Sequence, residues 1–223
     1  MLDVVDDSEE EQGKSVAVEA TVMVVDEEEE KEINVKDFGA GLTTRRQQIA
    51  QQHSMENRAI LREWFDRVDS QRTGNITATQ LKSAFAVGNL HFPVSVVQQM
   101  IRMYDFDRNG TMSFDEFVEL NKFLLKVQQA FSGLERGRGY LVPDEAYEAL
   151  VKIGFSLDSP AFYTVCESFD QTKTGKLRLD DFIALCIFVQ SARNLFNSFD
   201  TSKQGRVTLD FNQFVYCTSN CRI

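Results

Sequence analysis

The sequence predicts an all-α fold of five tandem helix–loop–helix units, in which some helices serve two units and short β-bridges join paired loops. Three observations predict it. Residues 105–116 read D-F-D-R-N-G-T-M-S-F-D-E, a run of oxygen donors around a central glycine. Glycines recur at Gly74, Gly110, Gly139, Gly175 and Gly205, at intervals of 36, 29, 36 and 30 residues. An aliphatic residue stands two places after each glycine: Ile76, Met112, Leu141, Leu177 and Val207. A fixed repeat of this length is the signature of one supersecondary unit used several times.

The run at 105–116 fits the EF-hand calcium loop at every diagnostic position. Asp105, Asp107 and Asn109 offer side-chain oxygens at positions 1, 3 and 5. Gly110 takes the sharp turn at position 6, and Thr111 offers its carbonyl at position 7. Ser113 at position 9 can act through a bridging water, and Glu116 at position 12 can bind with both oxygens. Calcium takes six to eight oxygens at about 2.3–2.6 Å, and this order of donors provides them. One Ca²⁺ site is expected, with Mg²⁺ as a competitor.

The units fall near residues 57–88, 94–124, 123–152, 159–189 and 189–219. The short intervals leave no room for two full helices and a linker, so one helix must leave one hand and enter the next. Residues 113–131, with Phe117, Leu120, Leu124, Val127 and Phe131 at helical spacing, predict one shared helix. Residues 180–197, with Phe182, Leu185, Phe188, Val189 and Leu195, predict the second. The 18 phenylalanines and only 3 prolines suit a helical body with an aromatic core.

The other loops are poor cages. Hand 1, 69–80, keeps Asp69 and Gly74 but ends on the neutral Gln80, and is expected to be empty or very weak. Hand 3, 134–145, places Leu134 and Arg136 at two ligand positions, and Arg136 and Arg138 put positive charge where a cation would sit. It is expected to bind no calcium, and its lead-in reads one residue short. Hand 4, 170–181, keeps Asp170 but has Thr172, Thr174 and the short Asp181. Hand 5, 200–211, keeps Asp200 and ends on Phe211, which cannot ligate.

Five hands with shared helices resemble the penta-EF-hand family. The segments FDRVDSQRTGNIT, MYDFDRNGTMSFDEF, FDQTKTGKLRLDDFI with its LCIFVQ sequel, and FDTSKQGRVTLDF carry the resemblance, which covers about residues 56–223. In that family hands 1 and 3 commonly bind calcium. Here those hands have lost ligands and hand 2 is intact, so the family's usual switch does not transfer unchanged. Hands 1 and 2 can pair, as can hands 3 and 4. An odd fifth hand leaves Val207, Phe211, Phe214 and Val215 without an intrachain partner. The resemblance implies a two-fold contact between fifth hands, as a homodimer or as a heterodimer with a related chain.

Charge separates a tail from a body. Residues 1–37 hold 14 acidic and 3 basic residues, a net of −11, against −10 for the whole chain. The sequence therefore divides into an acidic tail, 1–45, expected to be disordered, and a penta-EF-hand domain, 46–223. Within the tail, the apolar run 16–25 lies between the acidic runs 9–11 and 26–30 and is a candidate docking segment. The family's usual Gly/Pro-rich N-terminal segment is replaced, which leaves both membrane association and partner choice without their usual basis. Neither a secretory signal nor an apolar stretch of about 20 residues is expected, and Leu2 excludes N-myristoylation. Cys166, Cys186, Cys217 and Cys221, with His53 and His91, form no zinc pattern and read as reduced thiols of a cytoplasmic protein. Arg45, Arg46 and Arg58 are more simply a solvated helix face than a membrane contact, which is peripheral at most. No acid/base or nucleophile constellation suggests catalysis, and nothing points to a nucleic acid.

The expected function is a calcium-responsive adaptor. Filling hand 2 would shift a helix over 95–104 against the shared helix and uncover a groove for a partner peptide, with Met100, Met103, Phe123 and Leu124 as candidate lining. Two alternatives remain: a calcium-independent structural dimer, and a regulatory subunit of a larger enzyme such as a calpain-like protease.

Overall fold

A computed structural model of the chain describes residues 41–221, with side-chain surroundings from residue 55 onward. The acidic runs, the 16–25 stretch and the side chains of Arg45, Arg46 and His53 lie outside the described residues.

Eight helices and two strand pairs form the described body. Hand 1 joins α1 (Gly41–Val68) to α2 (Ala78–Val87) through β1 (Asn75–Ile76). Hand 2 joins α3 (Val94–Tyr104) to α4 (Phe114–Glu135) through β2 (Met112–Ser113). The same α4 enters hand 3, whose β3 (Tyr140–Leu141) leads to α5 (Pro143–Ile153). Hand 4 runs from α6 (Ser159–Phe169) through β4 (Leu177–Arg178) to α7 (Leu179–Phe199). The α7 helix then enters hand 5, which ends in α8 (Phe211–Asn220).

The strands are the bridges expected two residues beyond each glycine. Ile76 pairs with Met112, and Leu141 with Leu177, both antiparallel. All four side chains are fully buried, so each bridge is also a core contact. Hand 5 contributes no strand among the described residues, and Val207 is only half-buried.

The two shared helices form as their apolar periodicity requires. Phe117, Leu120, Leu124, Val127 and Phe131 are all buried along one face of α4. The helix continues four residues past 131 because Leu134 repeats the period and is buried too. It packs on α1, α5 and α7. Its hand-2 end is held by aromatic packing: Trp64 of α1 stacks on Phe117 with ring centroids 4.6 Å apart, and Phe65 meets Phe114 edge-on at 5.6 Å. At the hand-3 end, Phe131 meets Phe182 of α7 at 5.9 Å. In α7, Phe182, Leu185 and Val189 are buried and Phe188 packs against the core, while Leu195 is half-buried where the helix runs out toward hand 5. No helix among the described residues is long and apolar enough to cross a membrane.

Candidate metal centre

Hand 2 gathers its donors into one place. An oxygen each of Asp105, Asp107 and Glu116 lies within 4.8 Å of the others. Two oxygens on opposite sides of a cation held at about 2.4 Å stand about 4.8 Å apart, so these three fit around one calcium ion. The loop reaches this shape through its own hydrogen bonds. Asp105 accepts the N–H groups of Asn109 at 2.9 Å and Gly110 at 3.0 Å. Asp107 accepts from the Asn109 backbone at 3.1 Å and from its side-chain amide at 2.7 Å. The side-chain Oδ1 of Asn109 accepts from the Thr111 N–H at 2.7 Å and from its hydroxyl. Gly110 turns the chain at φ 75°, in the left-handed region that side chains disfavour.

Glu116 closes the loop from the first turn of α4. Ser113 caps that helix and Glu116 completes the capping box, accepting from the Ser113 N–H at 2.8 Å and hydroxyl at 2.9 Å. Its other oxygen accepts the Phe106 N–H at 2.9 Å, from the opposite side of the loop. Glu116 is buried, and its hydrogen bonds tie it both to Phe106, just past α3, and to the start of α4. A cation gripped there would join the two helices. The donors are all hard oxygens, as calcium requires.

The other hands keep the turn and lose the cage. In hands 1, 4 and 5 the first aspartate still accepts the glycine N–H: Asp69 from Gly74 at 2.6 Å, Asp170 from Gly175 at 2.6 Å and Asp200 from Gly205 at 2.7 Å. Burial works to raise the Asp69 and Asp170 carboxyls. The N–H donors around them, helped by the hydroxyls of Thr73 and Thr172, outweigh it and hold both below the usual range. At position 12 of hand 1, Gln80 repeats the capping box with Thr77 but turns its amide onto the Val68 carbonyl at 3.3 Å. A neutral donor thus spans the loop where hand 2 offers a carboxylate. In hand 4, burial and then neighbouring Asp180 push the Asp181 carboxyl up, against the Arg178 N–H that it accepts.

Two loop frames differ from the sequence reading. In hand 3, α4 continues through Leu134, and Glu135 rather than Leu134 takes the place of the first acceptor, receiving the Gly139 N–H at 2.6 Å. The loop is one residue short, as its lead-in indicated, and Arg136 adopts a positive φ in addition to Gly137, which stands where Arg72, Arg108, Lys173 and Lys203 have positive φ in the other hands. In hand 5, Phe211 is not a loop terminus. Asp210 caps α8 and Gln213 completes the capping box, so the outgoing helix starts two residues later and Gln213 stands where Glu116 stands in hand 2. The spacing from Asp210 to Gln213 is the visible signal for this shift.

The proposed fifth-hand surface is open. Phe211 is 78% exposed and Phe214 56%, with Val215 and Tyr216 beside them. The candidate groove divides: Met103 and Phe123 are partly buried, whereas Met100 and Leu124 are buried in the core. Cys166 and Cys186 are buried, and burial pushes the Cys166 thiol up to about 11; Cys217 and Cys221 are partly exposed, and all four are free.

The family model described as an EF-hand domain pair matches residues 59–121, which span hands 1 and 2. Sorcin of Schistosoma japonicum is 32% identical over 158 residues, covering 70% of this chain and 91% of that protein. Penta-EF hand domain-containing protein 2 of Dictyostelium discoideum is 29% identical over 154 residues, or 69% of this chain and 74% of that protein. Among solved structures, a homologue of programmed cell death 6 protein from Leishmania major Friedlin is 31% identical, with a TM-score of 0.56 over 73% of this chain and 90% of that one. The EF-hand architecture implies calcium as the cation. By this likeness over most of its length, the chain belongs to the penta-EF-hand family.

Proposed function

We propose that the chain is a calcium-responsive regulatory adaptor, switched at hand 2 and dimerised through hand 5. The convergence of Asp105, Asp107 and Glu116 carries the first half of this reading. These residues, with Asn109, the Thr111 carbonyl and Ser113 through a water, would hold one ion. The ion supplies positive charge that neutralises the clustered carboxylates and cross-links the end of α3 to the start of α4. Glu116 sits on the shared helix, so tightening its grip changes the angle of α3 to α4 and loosens the cover over Met103 and Phe123. Met100 and Leu124 join that groove only if α3 moves away from the core. The occupant would be an apolar partner peptide laid along the two helices.

A titration of the protein with calcium in millimolar Mg²⁺, followed by heat, tests this against Glu116→Gln. Gln keeps the capping box, as Gln80 does in hand 1, and removes the charge. One site per chain in the sensor range, of order 10⁻⁷ to 10⁻⁵ M, is expected, weakened about 100-fold or more in the variant. Identical titrations of the two proteins contradict the proposal.

The exposed Phe211, Phe214, Val215 and Tyr216, beside a loop with no strand partner among the described residues, support the second half. A second copy, or a related chain, offers the same face in a two-fold contact. Sedimentation at micromolar concentration is expected to give a dimer both in calcium and in chelator; a monomer contradicts it.

A further inference from the structure

We propose that Arg138 is the resident cation of hand 3: its guanidinium takes the place that a metal ion takes in hand 2 and holds the hand in shape without calcium. The geometry is that of a coordinated ion. One terminal nitrogen of Arg138 donates to both oxygens of Glu145, at 2.7 and 2.6 Å. The same nitrogen lies 3.4 Å from the Leu134 carbonyl, and Nε donates to the Glu135 carbonyl at 2.9 Å. Four oxygens from both sides of the loop thus converge on one positive group. Glu145 is the closing carboxylate of this hand, as Glu116 is of hand 2, and it likewise accepts the N–H of the residue before its helix, Val142, at 3.1 Å. The closing glutamate therefore grips an arginine of its own loop where its counterpart faces converging carboxylates.

Local structure places the arginine there. The short loop turns through Arg136 at φ 53° and Gly137 at φ 73°, and Arg138 follows with its guanidinium over the ring of Tyr140, 5.2 Å from the centroid. Its side chain is 34% exposed and that of Glu145 16%, so the pair is partly withdrawn from water. An exposed ion pair contributes little. A planar guanidinium fixed to a carboxylate and to two carbonyls is a stronger and more directional arrangement. A calcium ion could enter hand 3 only by expelling a tethered positive group. The mechanical consequence falls on α4, whose first turn carries Glu116 and whose last residues, Leu134 and Glu135, are bonded to Arg138. One end of the shared helix answers to an outside ion, and the other is fastened by the protein itself. This inference stands apart from the proposed calcium switch, because it concerns the protein in chelator.

Thermal unfolding in EDTA, with methylguanidinium as the probe, tests it. Arg138→Ala and Glu145→Gln are each expected to melt several degrees below the wild type, and the double variant no lower than the worse single one. Millimolar methylguanidinium is expected to restore part of the loss in Arg138→Ala and to leave the wild type and the double variant unmoved. A purely structural arginine stem would show no such rescue. Wild-type melting of Arg138→Ala, additive losses, or a probe effect equal in all variants would overturn the proposal. Arg138→Lys keeps the charge without the fork and is expected to melt below the wild type. Should Arg138→Ala fail to fold, equal melting of Arg138→Lys and wild type overturns it.

Discussion

Hands 2 and 3 lie at opposite ends of one helix and solve the same electrostatic problem differently. Each loop brings a buried or half-buried glutamate to the start of its outgoing helix, Glu116 in one and Glu145 in the other. In hand 2 the glutamate faces Asp105 and Asp107, and under the proposed switch a cation would complete the cluster. In hand 3 the aspartates are gone, and Arg138 lies across the glutamate. The side chain of Arg138 also shifts Glu145: its hydrogen bond, with that of the Val142 N–H, holds the carboxyl below its usual range against the opposing effect of burial. The difference teaches that an eroded calcium loop need not be a slack one. Hand 1 makes the same point more weakly, because Gln80 closes its loop with an amide hydrogen bond.

The contrast can be broken from either side. The largest effect is expected from rebuilding hand 1 in the image of hand 2. Gln71→Asp with Gln80→Glu restores two carboxylates beside Asp69 and keeps the Thr77 capping box. A second calcium site should appear, about 100-fold tighter than hand 1 of the parent, read as stoichiometry in a titration. An unchanged stoichiometry would mean that the loop backbone, and not the lost charge, excludes the ion.

Ser113→Ala separates capping from ligation. It removes the hydroxyl at the head of α4 and is expected to cost about 1 kcal/mol in urea unfolding. Calcium affinity should fall less than in Glu116→Gln, since the role proposed for Ser113 is through a water. A loss of affinity as large as that of Glu116→Gln would assign Ser113 a direct contact.

The smallest effect is the pH response of hand 3. Glu145 is depressed in the folded protein, so its contribution to stability is present above its unfolded value of 4.5 and is lost as pH falls through the folded value. The difference in melting temperature between wild type and Glu145→Gln, present at neutral pH, should therefore shrink steadily in acid. A difference that persists there would place the role of Glu145 in packing.

Much of this contrast was legible in the sequence, and the remainder was hidden for physical reasons. The convergence of Asp105, Asp107 and Glu116 could be read because their pattern has the kind and spacing of donors that a hard cation dictates. The strand pairing could be read because Ile76, Met112, Leu141 and Leu177 hold one fixed place after their glycines. The sequence also marked the two arginines of hand 3 as a bar to calcium. It did not show that Arg138 is itself coordinated, because that depends on α4 running to Glu135 and on the positive φ of Arg136, a conformation that no arginine announces. Gln213 was missed because the twelve-residue frame was carried into hand 5, where the capping pair Asp210 and Gln213 starts the helix two residues later. Met100 has the right chemistry for a groove but belongs to the buried face of α3.

Amide hydrogen exchange of the wild-type protein in calcium and in EDTA tests the contrast most directly, because both loops are read in one sample. Protection should rise on adding calcium across residues 105–116 and at the start of α4. Across residues 134–145 it should already be present in EDTA and should not change. Equal gains in the two loops, or a hand 3 protected only in calcium, would contradict the account.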